Sequence, residues 1–393
     1  MKAKLNKNDI AKTLRSYSMI IVLVVIAVLF QWWTGGLIFK PRNITNIILQ
    51  QSYIVILILG MLPVILTGNV DLSVGSIVAF VGAVAAVLQV NFGWGTVPTL
   101  VVALAVGAAI GAWNGLWIAK FDIPAFIVTL SSQLVFRGFT LVVLDGASIG
   151  PFDSTFRAIA GSFIAEVFGE NGIANFAFPL TMGLAAVACL VYIFVQIKSH
   201  RNKIAHGVQV KNVWAVVLRT VAMCLVILAL SYMLAIDKGY PTVLLIMLVL
   251  SLIYSFICNR TIFGRSLYAI GGNRKAAALS GIKDRWCMFL AYTNMGFVAA
   301  IAALVYAARL NVATPKAGTG FELDAIAACY VGGASVSGGA GTIGGALIGC
   351  LVIGILNNGM SLLGISPDWQ QMVKGFVILA AVAFDLIPKL KKK

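Results

Sequence analysis

Long apolar runs, separated by short polar segments, make up most of this chain. A run of about 20 apolar residues is long enough for an α-helix to cross the hydrocarbon core of a bilayer. Runs near this length lie at residues 19–39, 47–67, 74–90, 97–119, 124–144, 178–197, 213–235, 241–257, 287–309 and 369–388. The pattern predicts an all-α polytopic membrane protein with about ten full transmembrane helices.

The pattern is less regular between residues 310 and 368. Residues 324–333 form an apolar run too short to cross, a glycine- and serine-rich stretch covers 332–345, and apolar character returns up to about residue 360. We expect a broken, short helix pair that enters the membrane and returns to the side from which it came. A single crossing would instead leave the basic tail, residues 389–393, outside the cell.

Composition supports a membrane location. The chain is 60% hydrophobic and 11% charged, with a mean hydropathy of +0.98, which water-soluble globular proteins do not reach. A net charge of +16 would suit a nucleic-acid partner, but the basic residues are spread over short loops, where they act as topology signals. We therefore expect the lipid bilayer, and no nucleic acid, as a partner.

The basic residues also predict orientation. Of the 29 Lys and Arg residues, five fall in segments assigned to the outside and three within spans, which leaves 21 for cytoplasmic segments. Loops rich in Lys and Arg remain in the cytoplasm. Both termini are therefore expected there, as an N-terminal segment, 1–18, and a basic tail, 389–393.

Metalloprotease and dithiol motifs are absent from the sequence. No H-E-x-x-H or C-x-x-C pattern occurs, and the two histidines share one polar loop, which offers little acid–base chemistry. No G-x-x-x-x-G-K-[ST] loop is present to cradle phosphates. We expect no catalytic residue, no metal site and no cofactor bound by this chain.

Two parts of the chain contain an aspartate, a glycine-rich stretch, an Asn-Gly pair and a proline in the same order. These landmarks are Asp71, Gly111, Asn114-Gly115 and Pro124 in the first part, and Asp324, Gly344-Gly345, Asn358-Gly359 and Pro367 in the second. Span counting places Asp71 on the cytoplasmic side and Asp324 on the outer side. Residues 47–144 and 287–388 are therefore predicted to be inverted repeats, separated by an inserted span pair at 178–235. Alternatively, the glycines only allow helices to pack closely.

Broken helices in inverted repeats commonly surround a transported solute. A carboxylate at the break 67–75 is costly if it faces lipid, so it must lie at an interface or beside a partner. We interpret Asp71, Ser73, Gly75 and Asp324 as helix-break positions that orient or cap the helices that follow.

Several further motifs appear in a fixed order along the chain. They are Val70-Asp71-Leu72-Ser73-Val74-Gly75-Ser76, Gly111-Ala112-Trp113-Asn114-Gly115, Ile127-Val128-Thr129-Leu130, Phe136-Arg137-Gly138, Tyr268-Ala269-Ile270-Gly271-Gly272-Asn273, Ser280-Gly281-Ile282 and Glu322-Leu323-Asp324-Ala325-Ile326-Ala327-Ala328. Over about residues 40–385 the chain resembles the membrane permease subunits of bacterial ABC sugar importers of the ribose/xylose type. Its length and the inserted span pair look like the xylose permeases and their multiple-monosaccharide relatives.

The resemblance implies a function and a set of partners. Residues 19–388 would form a single transmembrane permease domain that carries a monosaccharide, either xylose or several sugars such as galactose, arabinose, xylose and glucose. The chain would not be an enzyme, since ATP and Mg²⁺ would be used by a separate cytoplasmic ABC ATPase. An extracytoplasmic sugar-binding protein would deliver the sugar, and a second copy of the chain would complete the pore. The expected location is the bacterial plasma (inner) membrane.

The cytoplasmic loop 258–286 is assigned to ATPase contact by the resemblance. The stretch Lys275-Ala276-Ala277-Ala278-Leu279 favours a short helix, and glycines punctuate the rest of the loop. The residues expected to couple the ATPase to the permease are Gly264, Gly271, Gly272, Asn273, Ala276, Ala277 and Gly281. Alternatively, the loop is a solvated basic segment that only fixes topology.

A sugar needs hydrogen-bonding partners rather than counter-ions, so amide and charged side chains in or beside spans are candidates for the translocation pathway. The candidates are Asn114, Gln133, Arg137, Asn294, Asn357, Asn358, Gln370 and Lys374. Arg137 and Lys374 are cations within predicted spans, and Asp324 or Glu322 is their expected partner. Alternatively, the amides tie helices together, and the cations snorkel or form a structural ion pair.

A proton- or sodium-coupled carrier is the alternative function, because such carriers also use inverted repeats. None of the 13 acidic residues falls in the middle of a predicted span, where a proton relay would need one. ATP-driven import is therefore the favoured hypothesis. Replacing Asp71 with Asn is then expected to lower assembly or coupling more than sugar preference.

Overall fold

The computed structural model describes residues 7–168, 173–205 and 213–390, so parts of the predicted terminal segments, 1–18 and 389–393, lie outside the described residues. Helices dominate this part of the chain, and it contains no β-strand, only isolated bridges that join Ile149 to Ala313 and Phe163 to Pro241. The prediction of an all-α protein is confirmed.

The described residues form 16 α-helices, joined by turns and short non-helical segments. They are α1 (Lys7–Trp33), α2 (Pro41–Leu66), α3 (Val74–Ala86, continued by a π-helical segment, Val87–Asn91), α4 (Thr96–Lys120), α5 (Ala125–Leu144), α6 (Ser154–Gly161), α7 (Ile164–Phe168), α8 (Ile173–Ala205), α9 (Val213–Asp237), α10 (Thr242–Arg260), α11 (Ile262–Gly272), α12 (Arg274–Leu279), α13 (Asp284–Leu310), α14 (Phe321–Val331), α15 (Ile343–Leu362) and α16 (Pro367–Leu390).

Within the described residues, nine helices are long and apolar enough to cross a membrane. They are α2, α3 with its π-helical end, α4, α5, α8, α9, α10, α13 and α15. The predicted spans at 19–39 and 369–388 correspond to α1 and α16, which are helical but do not belong to these nine. The polytopic class is confirmed.

The irregular region between residues 310 and 368 forms a helix pair with one short member. Helix α14 has 11 residues, too few to cross a bilayer, whereas α15 has 20. Glycines with positive φ separate the two helices, among them Gly333 (φ +90°) and Gly338 (φ +80°). Because residues with a Cβ rarely adopt this conformation, these glycines end α14 and keep it short.

The chain divides into two compact units. The first comprises the described residues up to Ile38, Ile47–Gly161 and the described residues from Val243 onward. The second comprises Phe39–Asn46 and Ser162–Thr242, and it includes the span pair that the sequence predicts at 178–235. In the second unit that pair is the antiparallel hairpin of α8 and α9.

Helices α4 and α13 form the closest helix pair of the first unit. Gly107, Gly111 and Gly115 recur every four residues on α4 and face the backbone of α13. A Cβ atom on Gly111 would lie 2.8 Å from the carbonyl oxygen of Thr293, and one on Gly115 would lie 2.8 Å from that of Phe289. Small residues at this spacing let two helix backbones touch. Gly111 and Gly115 therefore allow this close packing, and the inverted repeat stays a prediction.

Candidate functional site

Two helices of the first unit begin beside each other inside the protein. Residues 67–73 are non-helical and lead into α3, and residues 311–320 are non-helical and lead into α14. The first turn of α3 touches the second of these segments, since a Cβ on Gly75 would overlap the carbonyl oxygen of Gly318 and the carboxylate of Glu322. Only glycine permits this approach at position 75. The contact brings the N-termini of α3 and α14 together.

The meeting point lies beside a helix that is long enough to cross a membrane. Ser73 is hydrogen-bonded to Asn114, which lies six residues before the end of α4 at Lys120, about 9 Å at 1.5 Å per residue. Helix α4 has 25 residues, about 38 Å, against a hydrocarbon core of about 30 Å, so the start of α3 lies alongside this helix and not beyond its end. The two helix breaks meet in this one region, and the assignment of Asp71 and Asp324 to opposite sides of the membrane stays a prediction.

A buried chain of hydrogen bonds joins α3, α4 and α5 at this point. Oδ1 of Asp71 accepts from the backbone N–H (2.8 Å) and the hydroxyl (2.6 Å) of Ser73. Asn114 donates through Nδ2 to Ser73 Oγ at 3.0 Å and accepts through Oδ1 from Ser132 Oγ at 2.6 Å. All four side chains are buried. Asp71 therefore organises the turn before α3, and Asn114 ties three helices together.

A second polar group links α5 to the start of α14. Gln133 donates to Oε1 of Glu322 at 3.3 Å. The guanidinium of Arg137, one helical turn further along α5, donates to the carbonyl oxygens of Pro315 (3.1 Å) and Ala317 (2.6 Å). The structure thus pairs Arg137 with backbone carbonyls of the non-helical segment, and not with a carboxylate as the sequence suggested.

Lys374 forms the ion pair that the sequence predicted for it. Its Nζ lies 2.9 Å from Oδ1 and 3.1 Å from Oδ2 of Asp324, which joins α16 to α14. Asp324 is in the first turn of α14, whereas Asp71 lies three residues before α3, so the two aspartates differ in their position relative to the helix. A carboxylate in a first turn also interacts favourably with the helix dipole.

The remaining candidate amides lie elsewhere in the first unit. Asn294 accepts a hydrogen bond from the hydroxyl of Tyr254, which joins α13 to α10. Gln370 donates to Ser361 Oγ at 3.2 Å and to the carbonyl of Ile365 at 2.9 Å, and so holds the turn between α15 and α16. Asn358 is buried, and Oδ1 of Asn357 is buried without a hydrogen-bond partner among the described residues. Only Asn114, Gln133 and Arg137 border the meeting point.

Metal-ligating side chains do not converge in the described part of the chain, where no group of three or more His, Cys, Asp or Glu residues could hold an ion. The cysteines are all free thiols.

The loop predicted to couple an ATPase is a pair of short helices, α11 and α12. The side chain of Thr261 accepts from Gly264 N–H at the start of α11, and that of Asn273 accepts from Ala276 N–H at the start of α12. Such N-caps favour helix initiation at these positions. Gly281 follows α12 with φ +85°, a conformation that favours glycine. The short helix predicted at Lys275–Leu279 is therefore present, and α11 precedes it.

The glycines predicted to couple fall into two groups. Gly264 and Gly271 are packed against backbone, because a Cβ on Gly264 would overlap the carbonyls of Ile257 and Cys258, and one on Gly271 would overlap that of Leu66. Gly272 and Gly281 have no neighbouring atom within 4 Å of an added Cβ. The first two fix α11 to the protein, and the last two lie at the open surface.

Three backbone segments meet where Gly68, Gly271 and Gly338 approach one another, and we call this the glycine junction. A Cβ on Gly338 would lie 2.8 Å from Cα of Gly68 and 3.0 Å from Cα of Gly271. The hydroxyl of Tyr268 on α11 donates to the carbonyl of Gly341 at 2.7 Å. The junction connects α11 with the helix break before α3 and with the bend between α14 and α15.

An ion network, which sequence reasoning missed, ties α12 to two other elements. Arg274 donates through Nη2 to Asp122 at 2.9 Å and through Nε to Asp284 at 2.7 Å, and Arg285 reaches Asp122 at 3.2 Å. Asp122 lies in the turn between α4 and α5, with φ +53°. The hydrogen bond from Arg274 lowers the pKa of the Asp122 carboxyl. In the sequence, the only sign of this network was that Asp122 and the basic loop 258–286, both assigned to the cytoplasmic side, carry opposite charges.

Leu279, the last residue of α12, projects from the surface. Its exposed fraction is 91%, and of the six residues of α12 only Ala277 is buried. A single exposed apolar residue is common on protein surfaces, so Leu279 is a candidate contact because of its place on α12 and not because of its exposure alone. Leu279 was recognised in the sequence only as a helix former.

Comparison with known proteins places these features in a family. Residues 43–382 match the family model described as "Branched-chain amino acid transport system / permease component". The chain is 36% identical over 378 residues to the xylose transport system permease protein XylH of Escherichia coli K12, covering 96% of this chain and 93% of the relative. It is 35% identical over 378 residues to XylH of Haemophilus influenzae, covering 96% and 98% of the two chains.

A ribose permease is similarly related. The ribose import permease protein RbsC of Escherichia coli K12 is 36% identical over 368 residues, covering 94% of this chain and 92% of the relative. No solved structure matches. The matches run through the helix breaks, the coupling helices and the span pair alike, and the chain therefore belongs to this family of transport-system permease components.

Proposed function

We propose that this chain is the transmembrane permease of an ATP-driven importer of monosaccharides, with xylose as the first candidate and related sugars such as galactose, arabinose, glucose and ribose as alternatives. The chain forms the sugar pathway and does not hydrolyse ATP itself. ATP and Mg²⁺ are used by a separate cytoplasmic ATPase, and an extracytoplasmic binding protein delivers the sugar. A second copy of the chain completes the pore in the bacterial inner membrane, with both termini in the cytoplasm.

The meeting of the α3 and α14 N-termini is the observation that carries this proposal. Transporters with broken helices bind their solute where half-helices end near mid-membrane. Here Gln133, Arg137 and Glu322 border that point, and their side chains provide donors and acceptors for sugar hydroxyls. Asn114 is fully buried between Ser73 and Ser132, whereas Gln133 and Arg137 are partly exposed, so we assign Asn114 to holding the helices rather than to sugar contact.

The route from the ATPase to this point runs through α11 and α12. The partner docks on the exposed side of α12, where Leu279 projects. Arg274 and Asp122 pass a displacement of α12 to the turn between α4 and α5. The glycine junction passes a displacement of α11 to the break before α3 and to the bend before α15. A rigid movement of two short helices thereby reaches both broken helices.

Uptake by proteoliposomes tests the proposal. The purified chain, its ATPase and its sugar-binding protein are reconstituted, and radiolabelled xylose uptake and ATP hydrolysis are measured together. Replacing Leu279 with Glu places a charge in the docking contact, and we expect at least about a tenfold loss of xylose uptake, the effect of removing a strong interface contact. Gly281→Trp should also uncouple hydrolysis from uptake, since it enlarges the same surface at a positive φ.

The matched control is Ile262→Glu, which charges an exposed apolar residue on the neighbouring helix α11. It should leave uptake close to that of the unmodified chain. Equal losses in both variants would contradict docking on α12. Uptake that persists without ATP and collapses with the proton gradient would support the proton- or sodium-coupled alternative instead.

A further inference from the structure

Helices α8 and α9 form a hairpin that is longer than the membrane is thick. Helix α8 has 33 residues, about 50 Å at 1.5 Å per residue, against a hydrocarbon core of about 30 Å. From Phe176, where its apolar span begins, about 20 residues reach the vicinity of Gln196. Lys198, Arg201 and Lys203 follow on the next turns, at the level of the lipid headgroups and beyond.

A cavity of about 390 Å³ lies between the two helices at this end. On α9 it is lined by Thr220 and by valines at positions 213, 216, 217 and 221, a spacing that places them on one helix face. On α8 its apolar lining is Ile193 and Ile197. Its volume lies in the range of about 300–1,000 Å³ that is usual for small-molecule sites.

Most polar groups of this cavity belong to α8. They are Gln196, His200 and Arg201, all in the last turns of the apolar span of α8, whereas α9 contributes only the hydroxyl of Thr220. Arg201 forms no ion pair with any described carboxylate. The described hairpin contains no Asp or Glu before Asp237, which lies at the far end of α9. The cavity therefore combines an apolar interior with a cationic opening at the depth of the headgroups.

We propose that this cavity binds an anionic phospholipid, with an acyl chain against the α9 valines and the phosphate at Arg201. Anionic headgroups are the anions present at this depth, and basic pockets between transmembrane helices recognise them. Gln196 and His200 supply further N–H donors at the opening. A zwitterionic lipid fits the apolar interior equally well but lacks the net charge that Arg201 complements.

Native mass spectrometry of the full chain in detergent tests the proposal without the ATPase, the binding protein or any sugar. Dioleoyl phosphatidylglycerol and dioleoyl phosphatidylcholine are titrated separately, and the population carrying one lipid is measured. We expect the anionic lipid to bind about fivefold more tightly, the contribution of one basic residue at the membrane surface. Arg201→Gln should bring the two affinities together, whereas Lys198→Gln, which removes a neighbouring charge outside the cavity, should preserve the preference.

A second variant pair tests the apolar part. Val217→Trp fills the cavity from a half-exposed position on α9 and should abolish binding of the first lipid, whereas Leu218→Trp, on the adjacent lipid-facing side, should retain it. Equal loss of preference in Arg201→Gln and Lys198→Gln would overturn the proposal in favour of diffuse surface charge. Unchanged binding in Val217→Trp would overturn the cavity as the site. Failure of the reconstituted importer to take up sugar would affect neither result.

Discussion

At the scale of single residues, Asp71 acts through Ser73. Its Oδ1 accepts both the N–H and the hydroxyl of Ser73, and that hydroxyl in turn accepts from Asn114. A buried donor that loses its acceptor costs about 1–3 kcal/mol. The carboxyl group therefore stabilises the turn that leads into α3.

Asp71→Ala should lower the thermal unfolding temperature of the purified chain clearly, because two buried donors of Ser73 lose their acceptor. Asp71→Asn retains an acceptor oxygen at the same place and is the matched control, so its loss should be smaller. The measurement is thermal unfolding in detergent, followed by intrinsic fluorescence. Equal losses in the two variants would show that the hydrogen bonds to Ser73 are not what stabilises the turn.

The contact between Asp122 and Arg274 should depend on pH. A carboxyl group whose pKa is lowered on folding stabilises the fold above its ordinary pKa of 3.8 and loses this effect as the pH falls through the lowered value. The side chains are 46% and 43% exposed, so the pair is weak, about 0.2–1 kcal/mol. Asp122→Asn should therefore speed amide exchange in α12 by up to about fivefold at pH 7, and the difference should shrink as the pH falls below 3.8.

Hydrogen–deuterium exchange of Arg274–Leu279, corrected for intrinsic rates, measures this difference. Asp153→Asn is the control, since hydrogen bonds from Thr155 lower the pKa of Asp153 in a different loop. The control should leave α12 unchanged at every pH. A difference between Asp122→Asn and the unmodified chain that does not shrink as the pH falls below 3.8 would contradict an ion pair.

Sequence could predict the partner of Lys374 but not that of Arg137. Both lie in apolar spans, where a cation needs a partner, and Asp324 was within reach of Lys374 by position. Arg137 instead bonds the carbonyls of Pro315 and Ala317, which are free as acceptors because residues 311–320 are not helical. Nothing local in the sequence shows that this segment folds back to α5.

At the scale of helices, the close contact between α4 and α13 requires glycines on α4. Gly111→Leu would place a side chain where backbone atoms of Tyr292, Thr293 and Gly296 already lie. Overpacking of this kind costs about 1–3 kcal/mol or forces the helices apart. We expect a lower unfolding temperature and less monodisperse protein in size-exclusion chromatography. Gly138→Leu on α5, with no atom within 4 Å of an added Cβ, is the control and should behave like the unmodified chain.

The coupling helices show which elements local sequence determines. Helix α12 was predictable because alanines favour a helix, Asn273 caps it and Gly281 ends it. Helix α11 was missed because Gly271 and Gly272 suggest a loop. Tertiary packing overrides that preference, since Leu267 and Ile270 are buried and Gly271 fits against Leu66.

At the scale of the whole molecule, the charge distribution predicts which loops face the cytoplasm. Lys275 and Lys316 are exposed residues in loops assigned to opposite sides, and five native cysteines are buried while Cys224 is half-buried. A membrane-impermeant maleimide should therefore label Lys316→Cys in intact cells and Lys275→Cys only in inside-out vesicles. The unmodified chain is the control for native thiols. Labelling of Lys275→Cys in intact cells would reverse the orientation.

Apolar runs predict the crossing helices well because each run depends only on neighbouring residues. The meeting of the two helix breaks is different, since Gly75 and Gly318 are far apart along the chain and each glycine alone is compatible with many roles. The relation of residues 47–144 to 287–388 as inverted repeats stays a prediction. The order of landmarks suggested it, and the paired start of α3 and α14 is compatible with it.

The paired start of these two helices limits how α3 and α14 can move. Helix α14 rises only about 16 Å over its 11 residues, roughly half the hydrocarbon thickness, and the segment before it is non-helical. Where Gly75 meets Gly318, backbone touches backbone with no side chain between the two helix starts. Any rearrangement of α3 against α14 must therefore part this contact, and the two glycines determine how closely the broken helices can approach each other.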